Sequence, residues 1–364
     1  MTSTAHPLEG LESSYARALY RPMGFGDADF GKPLIAVVNS WSQLAAGHAH
    51  LREVGEAVRE GAAAAGGMAV EFNTVAACDG IAQGAGMRYI LPSREAIAAS
   101  AELMLKAHSF QGAVFIASCD KAIPGMLMAA ARCDLPSLFV TGGYMPRACF
   151  DDRPRGASDI KEAIGAFKAG KVSEALFREI ERKTCASPGA CNMMGTANTM
   201  AAIVEALGLS REENTTTAAT SSALLEHARE SGRRAVEAVG AGRAFRRVVE
   251  GANLENAVRL ALAIGGSTNM VLHILALAHE LGLPLALDDF DRLSRQTPLL
   301  ARFKPSAECF LEDFERAGGV HAVMKELRPL LRAEAIDARG RTLDERLRGV
   351  MVRSRSRRLR SGLV

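Results

Sequence analysis

The sequence predicts an α/β fold: a doubly wound, mostly parallel sheet flanked by helices, followed by a helix-rich segment. Three observations carry that reading. Short β-branched apolar runs alternate with amphipathic stretches of about 12 to 18 residues, the pattern left by helical crossovers between parallel strands. The apolar runs end in polar motifs at residues 39–42, 77–80 and 118–125, and open α/β sheets bind ligands at the carboxyl ends of their strands. From about Ser210 onward the periodicity is largely helical.

Taken in order, PLIAVVNS (33–40) reads as the first strand. HLREVGEAVREGAAAAGG (50–67) reads as an Ala-rich amphipathic helix closed by Gly66 and Gly67. AVEFNTV (69–75) is the second strand. SREAIAASAELMLKAHSF (93–110) opens on a capping pattern at Ser93, with Glu95 in its first turn. GAVFIAS (112–118) is a third strand leading into Cys119, a helix starts near Pro124, and SLFVTGG (137–143) is a fourth strand. LENAVRLALAIGG (254–266) and NMVLHILALAHELG (269–282) are the clearest later helices.

At 364 residues, with 48% hydrophobic and 23% charged residues, the chain has enough apolar content for one large domain or two. Its apolar runs fall short of the roughly 20 residues a bilayer demands, so no membrane association is expected. Residues 1–10 lack a basic flank followed by an apolar run, which points to the cytoplasm. The net charge of +3 is unevenly placed. Arg346, Arg348, Arg353, Arg355, Arg357, Arg358 and Arg360 come with no acid, so setting those seven aside leaves −4 for residues 1–345. The basic end has no aromatic residue for base stacking, and nucleic acid is not an expected partner.

Seven cysteines, an odd count in a chain expected in the cytoplasm, argue against a disulfide framework and for metal or redox chemistry at some of them. Cys133, Cys149 and Cys309 lack neighbouring ligand patterns and read as packing residues. Three segments concentrate the chemistry. Cys119, Asp120 and Lys121 stand adjacent at a strand end, and a soft thiolate beside a hard carboxylate suits two different metal centres; a surface loop with a buried thiol and an ion pair is the plainer alternative. Cys185 and Cys191 flank a Pro-Gly turn that lets backbone approach a cofactor, with small donors at 195–199 opening a helix, but their spacing is no zinc-finger spacing. Cys78, Asp79 and Gly80 end the second strand, where Asp79 is either a second hard ligand or a turn residue.

In this order CDGIAQG, LPSREAIA, CDKAIPGMLMA and PGACNMMGTANTM resemble the dihydroxy-acid dehydratase and 6-phosphogluconate dehydratase family. The likeness extends through NSWSQLAAGHAHLR, EALGLS, AIGGSTNMVLHILALA, SRQTPLL and EDFERAGGV, and GHAHLRE, EFNT and GGSTN are most similar to the bacterial dihydroxy-acid dehydratase branch. The resemblance implies an iron–sulfur cluster on Cys119 and Cys191, and Mg²⁺ on Asp79, Asp120 and Lys121, with Lys121 carbamylated. It implies a hydro-lyase, homodimeric as its relatives are, that converts a small 2,3-dihydroxy carboxylic acid to a 2-keto acid in valine and isoleucine biosynthesis. A sugar-acid or 6-phosphogluconate dehydratase is the alternative within the family; a catalytically dead cluster-binding fragment or binding module is the alternative outside it.

Two departures from the family pattern shape the expectations. Gly47 stands where many relatives have a further cluster cysteine, which makes Cys78 the candidate third ligand ahead of Cys185 and His48; cluster type, 2Fe–2S or 4Fe–4S, stays open. His48 and His50 otherwise read as capping or packing residues at a helix start. Relatives also continue into a β-rich swivel-like domain that carries the catalytic base, and nothing after Glu345 resembles it. The expected organisation is therefore a cluster-binding α/β domain over 1–345 and an arginine-rich tail over 346–364, a truncated chain that binds its cofactors and turns over poorly.

Overall fold

The computed structural model describes residues 6–150 and 153–353. After a short helix α1 (Ser14–Tyr20), the chain lays down β1 (Leu34–Asn39), α2 (Leu51–Ala64), β2 (Met68–Asn73), α3 (Ile90–Ala107), β3 (Gly112–Ala117), α4 (Cys119–Cys133) and β4 (Ser137–Thr141). The four strands form one fully parallel sheet in the order β2-β1-β3-β4. A small antiparallel hairpin, β5 (Ala148–Phe150) with β6 (Arg153–Arg155), follows outside it. The remainder is helical: α5 (Ala157–Lys168), α6 (Glu174–Lys183), α7 (Thr196–Ala206), α8 (Ser222–Gly240), α9 (Phe245–Val248), α10 (Gly251–Ala263), α11 (Asn269–Leu281), α12 (Leu287–Gln296), α13 (Leu311–Ala317), α14 (Gly319–Glu326) and α15 (Leu343–Leu347).

The central strands β1 and β3 are buried at every position because both faces of the sheet are covered. Leu34, Ala36 and Val38 of β1 and Phe115 and Ala117 of β3 enter the larger core, with α3, α4, α7 and α10. Ile35, Val37, Val114 and Ile116 point the other way, into a core formed with α2 and α8. Phe115 stacks on Phe139 across β3 and β4 at 4.9 Å between ring centres. The doubly wound expectation holds, and so does the helical remainder. No helix among the described residues is long and apolar enough to cross a membrane.

Two expected helix starts shift. Helix α3 begins at Ile90, and Ser93 does not cap it: the Ser93 hydroxyl donates back to the Ile90 carbonyl at 2.7 Å. Pro92 is tolerated there because first-turn residues need no intrahelical N–H bond. Helix α4 begins at Cys119 rather than near Pro124, so Pro124 lies inside it. The cost of that proline falls on the first turn, where Asp120 and Lys121 sit.

Helix α15 spans the expected boundary between residues 345 and 346. Thr342 and Glu345 form its capping box, and Arg346 is buried, donating to the carbonyls of Glu205 at 2.7 Å and Ala206 at 3.2 Å. Arg346 thus belongs to the folded body, not to a tail; residues 354–364 lie outside the described residues. Glu205 itself is buried, and although desolvation pushes its carboxyl up, His321 and the Thr215 N–H hold it below its ordinary value.

Helices α2 and α8 touch backbone to backbone. A Cβ at Gly232 would lie 2.1 Å from the Val58 carbonyl oxygen, and one at Gly61 would lie 1.9 Å from that of Arg229. Gly232→Ala is therefore expected to lower the unfolding free energy by about 3 kcal/mol, read from urea unfolding midpoints, because overpacking against backbone cannot relax by a rotamer change.

Candidate cluster and metal centre

The sheet order puts a switch point between β1 and β3, and the loops leaving their carboxyl ends diverge around a crevice. Ser40 closes its floor, donating from both its amide (3.1 Å) and its hydroxyl (3.0 Å) to the Ile116 carbonyl. Cys119 lies immediately above. Its φ of +62° is a left-handed conformation that costs a non-glycine residue about 1 kcal/mol and turns its side chain out of the helical path.

Gly47, from the loop after β1, packs directly on this thiol. A Cβ there would sit 2.8 Å from the Cys119 Sγ and 3.1 Å from the Ser118 Oγ, so any side chain at position 47 must displace the sulfur. His48, next in the chain, is fully buried, with Nδ1 3.0 Å from the Ser40 Oγ and Nε2 without a protein partner. Burial lowers its pKa to about 4. His50 braces the loops rather than capping α2: its Nε2 lies 2.6 Å from the Gly142 carbonyl beyond β4.

Cys78, from the loop after β2, hydrogen-bonds to Cys119, and that bond from the Cys119 thiol lowers Cys78 to about 6. The same contact and burial raise Cys119 well above an ordinary thiol. Cys191 keeps part of its surface accessible, yet desolvation raises it to about 11, with Cys185, Asp79 and Cys78 adding to the effect. Three sulfurs from three separate loops therefore share one electrostatic neighbourhood. Cys133 and Cys309 pack at the margin of the larger core, and Cys149 is exposed on β5.

Cys191 is delivered by backbone stitching. Gly189 N–H donates to the Ala46 carbonyl at 2.9 Å, Ala190 N–H to Gly143 at 2.9 Å and Met145 N–H to Ala190 at 2.8 Å. Asn198, at the start of α7, donates to the carbonyls of both Cys191 and Met193 at 2.7 Å. Asn192 reaches the opposite way, accepting from the Leu311 N–H at 3.0 Å and donating to Glu312 at 2.9 Å. The sequence reading missed both asparagines; their signal was their place beside a cysteine and in a helix's first turn.

The carboxylates gather on the same rim. Asp120 is buried, its Oδ2 bonded to the Lys121 Nζ at 2.6 Å and its Oδ1 without a protein partner. Burial raises its pKa, Lys121 opposes that rise, and the Asp79 charge adds to it, which places Asp79 close by. Among the described residues no three His, Cys, Asp or Glu side chains converge on one point as ligands of a single ion. A cluster would not ask for that convergence, since its thiolates would be shared out among several irons. The donor set fits: soft sulfurs together with two carboxylates, one of which carries an orphaned buried oxygen.

A family model described as dihydroxy-acid/6-phosphogluconate dehydratase N-terminal matches residues 32–346. The chain is 46% identical over 340 residues to a dihydroxy-acid dehydratase of Methanosarcina barkeri, covering 93% of this chain and 62% of that protein. It is 43% identical over 350 residues to a dihydroxy-acid dehydratase of Caldanaerobacter subterraneus, covering 95% and 63%, and 43% identical over 347 residues to one of Pyrococcus abyssi, covering 94% and 63%. The chain thus spans about 62% of the length of such relatives.

The thiol pair makes a distinct reactivity order. In the metal-free chain, iodoacetamide is expected to modify Cys78 before Cys133, with a rate that reaches half its plateau near pH 6, whereas Cys133, raised by burial to about 11, stays inert at neutral pH. Peptide mass mapping across pH 5 to 9 checks this; equal labelling of the two at pH 7 contradicts it.

Proposed function

We propose, on the premise that this chain belongs to the dihydroxy-acid/6-phosphogluconate dehydratase family, that it forms the cluster-bearing part of a hydro-lyase. The reaction is removal of water from a 2,3-dihydroxy carboxylic acid to give a 2-keto acid, of the dihydroxy-acid dehydratase type. The observation that carries the proposal is that Cys78, Cys119, Cys191, Asp79 and Asp120, delivered at the carboxyl end of the sheet, act on one another's ionisation.

Cys78, Cys119 and Cys191 hold the iron–sulfur cluster, and Asp79, Asp120 and a carbamylated Lys121 hold Mg²⁺. Cys78 is preferred over Cys185 and His48 as third ligand because it is hydrogen-bonded to Cys119. When bound, the cluster supplies a Lewis-acidic iron for the departing hydroxyl, and Mg²⁺ a hard cation that grips the substrate carboxylate and acidifies the neighbouring C–H. The chain's own residues set the geometry. The left-handed turn at Cys119 and the Asn198 clamp fix two sulfurs, and burial of Asp120 keeps water from competing for the cation. The cluster-binding unit is taken as residues 1–345 extended through α15, working as a homodimer in a reducing, cytoplasmic setting.

Anaerobic reconstitution with ferrous iron and sulfide tests this. Visible absorbance and bound iron are expected to be lost in Cys78→Ser, Cys119→Ser and Cys191→Ser and kept in Cys185→Ser. A Cys78→Ser chain with full iron and sulfide content overturns the third-ligand assignment. Asp79→Asn and Asp120→Asn are each expected to weaken Mg²⁺ binding at least about tenfold by calorimetric titration, the loss of one charged ligand.

A further inference from the structure

Helices α3 and α11 both pack on α4, which carries Lys121, and across that packing Arg94 of α3 meets His273 of α11. The fit of α3 on α4 is close, since a Cβ at Gly125 would lie 2.8 Å from the Arg94 carbonyl oxygen. Arg94 is anchored by Glu95 at 2.7 Å, and its Nη1 lies 3.2 Å from the Leu272 carbonyl and 3.3 Å from the His273 Nδ1. A guanidinium only donates, so Nδ1 accepts and the ring proton must sit on Nε2.

That Nε2–H has no acceptor. It is buried without a partner in the protein, on a residue 1% exposed. An unanswered buried donor is costly, and native proteins rarely leave one without use. The ring stays neutral because burial, then the Lys121 charge, then the Arg94 charge lower its pKa to about 3. The Lys121 charge acts on the ring as the Arg94 charge does, so the amine lies within electrostatic reach of it.

We infer that His273 is the positioning residue for a carbamate on Lys121: the Nε2–H donates to a carbamate oxygen, and Arg94 fixes the tautomer that makes this possible. The inference rests on the proposed modification of Lys121. In that step the ammonium releases a proton, and the neutral Nζ attacks the carbon of CO₂. The N–C bond forms as one C=O electron pair moves onto oxygen, and a second proton leaves the nitrogen for solvent. Lysine passes from a cation to an anion, and the orphaned donor of His273 gains its acceptor.

The test uses the chain in ¹³C-bicarbonate with magnesium chloride and reads the carbamate carbon by NMR. One protein carbamate is expected, absent in Lys121→Ala. His273→Leu is expected to lower its occupancy about tenfold to a hundredfold at fixed bicarbonate, the worth of one charge-assisted hydrogen bond, and His273→Gln, which keeps an N–H donor, to restore most of it. Equal occupancy in His273→Leu and the unsubstituted chain overturns the role of His273 alone. No carbamate in the unsubstituted chain overturns the Lys121 modification and this inference with it. A measurement without substitution guards against a misfolded variant: in ¹⁵N-histidine-labelled chain the His273 proton must reside on Nε2 and its resonance must move on adding bicarbonate. A proton on Nδ1, or no movement while the carbamate forms, overturns the inference.

Discussion

Cys191 reaches the sheet because Gly189 passes where no other residue can. The glycine is held at φ +126°, and a Cβ on it would lie 2.5 Å from the Met145 nitrogen. From that passage follow the backbone bonds to Ala46, Gly143 and Met145, which tie the 185–195 loop to the loops after β1 and β4. Each such bond is worth about 1 kcal/mol net, too little to fold the chain, yet together they fix where one sulfur stands relative to the others. Asn198 then grips the same loop from α7, and Asn192, within the loop, ties it to the start of α13. A cluster site assembled from distant stretches of chain depends on this kind of restraint, since the thiols themselves supply none until iron binds.

The strands were legible because a buried parallel strand is apolar on both faces, and PLIAVVNS and GAVFIAS are. Their polar ends were legible for the complementary reason that ligands collect at carboxyl ends. Helix boundaries were less so. Ser93 with Glu95 nearby looks like a cap, but a short turn at residues 84–89 feeds the chain into helix three residues earlier and the serine is spent on Ile90. Pro124 looks like a start, but tertiary packing on both sides of α4 outweighs the single backbone bond it removes.

At the site, the adjacency of Cys119, Asp120 and Lys121 was visible in the chain, and the pairing of Cys78 with Cys119 was not, since it joins loops 41 residues apart in sequence. Arg94 and His273 carried no local signal at all; a histidine on an apolar helix face reads as packing until an arginine from another helix is found on its Nδ1. Arg346 was read as the first residue of a basic run because charge patterning does not see the carbonyls of Glu205 and Ala206 that receive it.

The buried pair of Lys121 and Asp120 bears on the order in which the centre matures. With the lysine as an ammonium, the rim is locally neutral, so the polypeptide can complete its core before any divalent ion arrives. A carbamate at the same nitrogen reverses the sign and leaves adjacent anions in a low-dielectric pocket, a state that only a cation relieves. Modification and metal uptake are then thermodynamically linked, each raising the occupancy of the other by the same factor. Under the proposed carbamylation of Lys121, dissolved carbon dioxide would act as a maturation signal, and a newly made chain in bicarbonate-poor medium would wait, folded, for the cation.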